Sequence, residues 1–438
     1  QYNAGAFLAA PSGTLEGSVI AGQKGAIVLS RLRDPEIADD GSVLLPASEP
    51  GAGSGLYVVR GGKPSEWLPT AALTSVGTGY RFLTGRGRDR AEDAIAFGQR
   101  EGVFVATPAG VSTLALLDDP TPLQGRFAGF DALAGGPSGI AFHATIDAGR
   151  SAEAVLRSDG GSLRIAGRTE KRVRGGKIVS FLSGLIESVV PLQAEAAGVA
   201  FQALLQKSQA SSGVFVAGRR GTRPLALEGQ RADRGRFLAF GSFDLGTGGV
   251  AAFTATRSGA PSPAVLLRQG GRFRTLAAAG SDTTTRAAGK FVSFDSVDVG
   301  PAGIAFRATL RDPTGEGIFV ADKQAVGAVV LAQDVAPGGG RFVEFSPPAV
   351  TADGVLFVAG VADGTVKSAL YRAALAGVPG PAQTVAVTPV LALGDSLAGG
   401  VVVRIGQPRT NRLGAAVVPI DLSGGGSTQA LFRIDPTQ

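Results

Sequence analysis

The chain has no cysteine and no methionine, and its 438 residues include one histidine, one tryptophan and four tyrosines. Lack of cysteine excludes disulfides and thiolate metal sites, and a lone imidazole excludes His-rich zinc centres. Any Ser-His-Asp catalysis would have to run through His143. Asparagine occurs only at Asn3 and Asn411. So few oxidisable and deamidation-prone side chains suit a long-lived protein outside the cell. The chain begins at Gln1 rather than methionine, which reads as a mature protein after signal-peptide removal, secreted or held at the cell surface. With so few aromatic platforms for bases, no nucleic-acid partner is expected.

Charge is also sparse, at 18% of residues with a net +6, so attraction to polyanions is permitted without being demanded. The one long uncharged stretch, 373–394, carries Pro379, Pro381 and Pro389, which a membrane helix would rarely hold together. No membrane span is expected.

What is abundant is glycine, 66 residues, in company with valine, phenylalanine and threonine. That mixture predicts short strands joined by tight turns. One motif returns about every 50 residues. Gly139-Ile140-Ala141-Phe142 recurs as Gly198-Val199-Ala200-Phe201, Gly303-Ile304-Ala305-Phe306 and Gly354-Val355-Leu356-Phe357. A unit of that size cannot bury its apolar face alone, so neighbouring copies must share a core. Each unit has four strand-like segments. Strand A is the Gly-x-Ala-Phe segment, with copies centred on Leu45, Phe97, Phe142, Phe201, Phe253, Phe306, Phe357 and Val417. Strand B resembles Gly317-Ile318-Phe319-Val320, strand C is an aliphatic run such as Val329-Val330-Leu331, and strand D opens on Gly-Arg/Lys-Phe. Residues 194–210 would pass for a helix on propensity, but their register with the other copies says strand.

The chain starts mid-unit, with Gly5–Ala9 aligned to strand B, Leu15–Ile20 to C and Ile27–Leu29 to D. It ends on an A strand near Val417 and a B-like Ala430–Arg433. The two ends can therefore complete one sheet, with one B-like strand to spare. The expected fold is all-β, a single β-propeller domain over residues 1–438 with eight four-stranded blades closed by the chain ends. Seven blades or an open β-repeat array is the alternative.

The repeated Gly-x-Ala-Phe strand, the Gly-Ile-Phe-Val strand after it and the Gly-rich turn ending in Phe-x-x-Phe resemble a bacterial tandem-repeat family. That family carries an Asn-x-x-Gly-x-x-x-x-Ala-Phe signature and variable C-terminal surface anchors. The signature asparagine survives at Asn411; other copies hold Glu195, Gly300 or Thr351. The resemblance implies an exported repeat protein with no assigned chemistry.

Each candidate site also has a plainer structural role. His143 occupies a strand position where other copies hold Gln202, Thr254, Arg307 and Val358, which reads as a tolerant, partly exposed face. Gly394-Asp395-Ser396-Leu397 spells a hydrolase nucleophile box, yet it follows strand C where other units have turns. No catalytic residue and no metal ligand is therefore assigned, and no cofactor is expected. Calcium is the one cation the composition allows, through Asp131, Asp244 and Asp295 near the D-to-A connection or the turn residues Asp39, Asp40, Asp118, Asp119 and Asp334. Arg81, Arg126, Lys177, Arg236, Lys290 and Arg341 hold comparable places at the start of strand D. As a circle of cations they could grip an anionic surface polymer; as edge residues they would block sheet-to-sheet aggregation. The function expected is an exported, non-enzymatic binding or structural module whose partner is another cell-surface protein or an anionic polymer. The alternatives are a glycan hydrolase or lyase using channel carboxylates, and a filament or coat subunit self-assembling through its terminal strands.

Overall fold

The computed structural model describes residues 110–434 apart from the short stretches 137–138, 159–161, 183–192, 196–197, 207–209, 219–220, 247–249, 284–288, 312–314, 381–382, 398–399, 411–413 and 425–426. Before residue 110 it describes strand segments alone. The described chain is all-β and falls into eight sheets, numbered here in the order of their A strands. Those A strands are Val43–Glu49, Ile95–Gln99, Gly139–Asp147, Gly198–Gln206, Ala251–Ser258, Gly303–Arg311, Gly354–Ala362 and Ala416–Ser423, one to a sheet as the repeat requires. In sheets 1 to 7 the strand order is D-A-B-C, each antiparallel to the next where pairing is given. The stretch with helical propensity is the A strand Gly198–Gln206. No helix among the described residues is long and apolar enough to cross a membrane.

Sheet 8 joins the two ends of the chain, though differently from the sequence expectation. The last B strand, Ser427–Ile434, pairs with the last A strand and then with Asn3–Ala9, and this final pairing is parallel. Both B-like ends are used, side by side, because the N-terminal segment takes the place of strand C. Of the expected C segment, Leu15–Glu16 forms a strand, antiparallel to Leu8–Ala9. Residues 27–29 lie outside the described residues.

The chain divides into two compact units, one of Gln1–Thr70, Pro263–Val265 and Leu276–Gln438, the other of Ala71–Ser262 and Leu266–Thr275. Within each, packing follows one rule. Alternate side chains of a strand point to opposite faces, so one face of a sheet meets the phenylalanine-rich face of its successor. In the second unit, Ala141 and Val155 of sheet 3 cluster with Phe181, Phe201 and Phe215 of sheet 4. In the first, Ile318 and Val320 of sheet 6 cluster with Phe342, Phe345 and Phe357 of sheet 7, and Leu370 of sheet 7 with Val418 and Phe432 of sheet 8. Along strand A of sheet 6, Ile304, Phe306, Ala308 and Leu310 are buried on one face as the alternation predicts. Phe306 meets Phe291, Phe294 and Phe319 at centroid distances of 6.2, 5.8 and 5.5 Å.

Each D strand from sheet 3 to sheet 8 carries an extra residue, seen as a register shift after its first buried apolar side chain, and those of sheets 3, 5 and 6 show a second shift further on. The residues at the first shift are Ala128, Val179, Leu238, Val292, Val343 and Val403. A bulge bends and twists an edge strand, which hinders pairing with another sheet.

Candidate functional site

The cations singled out by the repeat stand beside a turn that recurs from strand C to the next strand D. In six such turns the last C residue accepts a bond from the amide three residues on; Asp334 N to Leu331 O at 3.1 Å and Asp395 N to Ala392 O at 3.2 Å are examples. The residue just before that amide is left-handed, with φ of 65° at Asp118, 66° at Glu170, 75° at Gly229, 78° at Gly280, 74° at Gln333 and 92° at Gly394. In all of these turns but that of Lys171, the residue carrying the amide then returns a side-chain oxygen to the last C amide. Asp119 bonds Leu116 N at 3.0 Å, Gln230 bonds Leu227 N at 3.0 Å, Asp334 bonds Leu331 N at 2.8 Å and Asp395 bonds Ala392 N at 2.7 Å. Asp395 of the Gly-Asp-Ser-Leu segment is thus the turn residue that Asp119 and Asp334 are elsewhere.

The first D residue clamps this turn. Arg236 Nη1 donates to Gly229 O at 2.8 Å and Arg341 Nη1 to Gln333 O at 2.7 Å, and Arg126 reaches Asp118 O in the same way. Lys177 pairs with the Glu170 carboxylate at 2.6 Å, and Lys290 lies 3.9 Å from Asp282. Arg81 ends the short strand Tyr80–Arg81, and its side chain lies outside the described residues. The neighbouring motif residues serve the same turn. A Cβ on Gly125, Gly235 or Gly340 would stand 2.5, 2.2 or 2.4 Å from a carbonyl at the end of strand A, so only glycine fits. Phe127, Phe237, Phe291 and Phe342 are buried. Every element of the Gly-Arg/Lys-Phe signature has work in the fold.

His143 corrects the sequence reading of its position. It is 2% exposed, and its counterparts Gln202 and Thr254 are buried too. The face is enclosed because the next sheet's D strand lies on it. The His143 ring is 5.4 Å from that of Phe181, and Nε2 is 3.5 Å from Glu153 Oε2. Glu153 ties the two sheets together, accepting from Phe181 N at 3.0 Å and from Ser180 Oγ at 3.1 Å. Burial pushes the Glu153 carboxyl up, but its bonds to His143, Phe181 and Ser180 and the imidazole charge outweigh that, so it sits below its ordinary value. Arg307, at the same repeat position in sheet 6, bonds Asp295 through Nε at 2.6 Å, lies 3.9 Å from Glu316 and reaches Phe345 O of sheet 7. Its basicity is raised, chiefly by the Asp295 bond. The sequence pattern flagged His143 but not Glu153 or Ser180, which come from a different strand and a different sheet.

The acidic residues considered for calcium have other employment. Asp119 and Asp334 hold turns, Asp295 pairs with Arg307, and Asp244 is buried three register positions beyond the place Asp295 holds. Among the described residues no three His, Asp or Glu side chains gather where they could hold a metal ion. Asp39 and Asp40 lie outside the described residues, as does the side chain of Asp131.

A sequence model described as a family of unknown function, DUF7453, matches residues 95–387, more than half of the chain. The chain belongs to that family. The match takes in the A strands of sheets 2 to 7 and the cations Arg126, Lys177, Arg236, Lys290 and Arg341. No curated protein matches the DUF7453 chain. Solved structures similar to it include prolyl oligopeptidase B from Galerina marginata, at 10% identity and TM-score 0.43, covering 90% of this chain and 56% of that one. Oligopeptidase B from Trypanosoma brucei is similar at 12% identity and TM-score 0.46, covering 90% and 53%. A puromycin-hydrolyzing peptidase from Mycobacterium tuberculosis gives 12% identity and TM-score 0.41, covering 89% and 58%. The chain spans just over half the length of these peptidases.

Proposed function

We propose that the eight sheets are the blades of one β-propeller, closed through sheet 8, and that the protein is an exported, non-enzymatic binding or structural module at the cell exterior. The observation that carries this reading is the employment of the repeat. Its glycines, cations, phenylalanines and turn carboxylates all hold strands and turns in place, and the sole imidazole is enclosed between two sheets. Recognition then falls to surfaces where the copies differ, as in other repeat scaffolds. The partner is a cell-surface protein or an anionic polymer. The composition, free of cysteine and methionine, supports the exterior location.

The enzymatic alternative has one foothold, since Asp295 and Glu316 both approach Arg307. Cell fractionation, together with turnover assays on polysaccharide, ester and peptide libraries, decides between the two. The proposal expects the protein outside the cytoplasm and no turnover. Cytoplasmic accumulation, or hydrolysis abolished by Asp295→Asn, would overturn it.

A further inference from the structure

The C strands of sheets 3, 4 and 5 are edge strands, Leu163–Arg168, Gly221–Leu227 and Arg272–Ala278. Their ionisable residues are Arg164, Arg168, Arg223, Arg272 and Arg274, with no acid among them. Arg164, Arg223, Arg272 and Arg274 are exposed.

These cations line the C edges of neighbouring sheets. Lys171, just past the end of the sheet 3 strand, donates from Nζ to Thr222 Oγ1 of sheet 4 at 3.0 Å, while Arg223, next along that strand and on its other face, lies near Arg268 of sheet 5. Arg268 of sheet 5 stands 5.8 Å over the Phe273 ring, and its buried Nε has no hydrogen-bond partner among the described residues. Burial and the nearby charge of Arg168 hold the Lys171 ammonium below its ordinary value; burial and Arg223 do the same to Arg268. None of Arg223, Arg268, Arg272 and Arg274 has a carboxylate within ion-pair distance among the described residues. These four cations, without counter-charge among the described residues, are poised for an anion from outside.

We propose that this arginine row across sheets 3 to 5 binds a linear acidic polysaccharide bearing carboxylate or sulfate groups. The inference rests on the reading of the protein as a binding module. Three features select the partner. The row is almost all arginine, whose planar fork matches carboxylate and sulfate oxygens in pairs. Arg272 and Arg274 are two residues apart on one strand, about 6.8 Å along it, a spacing suited to repeated charges on a chain. One tryptophan and four tyrosines offer little for stacking bases.

Binding of the full chain to fluorescent polygalacturonate and dextran sulfate, with neutral dextran and duplex DNA alongside, tests this. Both acidic polymers should bind at low salt and release at about 1 M, where screening acts over about 3 Å. The triple variant Arg223→Glu, Arg272→Glu, Arg274→Glu should keep the wild-type melting temperature and lose binding roughly tenfold or more. The matched reversal Arg311→Glu, Lys323→Glu, Lys367→Glu should bind as wild type. Should the triple variant misfold, Arg→Gln at the same positions must still weaken binding. The inference is overturned by no binding beyond neutral dextran, by equal losses in both reversals, by tighter binding of DNA, or by a loss confined to reversals at Arg126, Arg236 and Arg341. None of those outcomes touches the binding-module reading, which fails instead on location or turnover.

Discussion

The C strands of sheets 6 and 7, Val326–Leu331 and Val387–Ala392, carry no ionisable side chain, whereas those of sheets 3 to 5 carry five arginines. An exposed strand edge must be covered or charged to avoid pairing with another sheet. Sheet 6 is covered. A Cβ on Gly327 would stand 2.3 Å from Pro379 O, and Leu375 and Val378 pack onto the same core. Sheets 3 to 5 use charge, but more of it than protection needs. Cations away from the arginine-rich edges include several that are balanced, as Arg257 of sheet 5 is by Asp233. Arg307, Arg372 and Arg404 in sheets 6 to 8 each meet a carboxylate, and the basicity of Arg307 and Arg404 is raised by that bond. Lys171 and Arg268 are shifted the other way. Paired cations hold a fold together; Arg223, Arg268, Arg272 and Arg274, with no carboxylate at ion-pair distance among the described residues, are left open to a ligand.

Exchanging the two edges should produce the largest effect. Gly327→Arg would give sheet 6 the cation of sheet 4, and because the obstructing atom is backbone, the Pro379 segment must move. A loss of about 3 kcal/mol is expected by chemical denaturation, while Arg223→Gly should stay within about 0.5 kcal/mol of wild type. Equal effects would dissolve the distinction between covered and charged edges.

Removing a balanced cation comes next. Arg307→Ala leaves Asp295 and Glu316 facing each other without their guanidinium and frees the Phe345 carbonyl, so about 2 kcal/mol should be lost. Polysaccharide binding should be unchanged, the reverse of what the arginine row predicts. A stable Arg307→Ala protein with weakened binding would invert the comparison.

The smallest effect lies at the tie between sheets 3 and 4. Glu153→Gln should cost about 1 kcal/mol at neutral pH. Because the folded carboxyl sits below its ordinary 4.5, its stabilisation is complete above that pH and is lost as pH falls through the folded value. Melting curves of wild type and variant should therefore converge in acid. Curves that stay parallel down to pH 3 or so would deny the carboxylate this role.

The places of the strands could be read from the chain because each copy needs an apolar residue where Phe142, Phe201, Phe306 and Phe357 are buried. The turn after strand C was legible in Asp334 and Asp395 for a similar reason, since its geometry asks for a short acceptor at one position. The clamping cations were visible as a pattern, but the acceptors of Arg126, Arg236 and Arg341 are backbone carbonyls, which no residue type announces. His143 was misjudged as partly exposed because its burial is decided by Phe181, on a strand of the next sheet. The parallel pairing of Asn3–Ala9 with Ser427–Ile434 likewise depends on which strand lies nearby rather than on either sequence. The arginine row escaped a reading based on recurrence because it does not recur; it marks the sheets where the copies stop resembling one another.

Arginine-selective labelling with phenylglyoxal, read by mass spectrometry with and without polygalacturonate, tests the central claim most directly. The polymer should protect Arg164, Arg223, Arg272 and Arg274 and leave Arg311 and Arg409 as reactive as before. Protection of Arg311 and Arg409 with none at Arg223 and Arg272 would contradict the assignment.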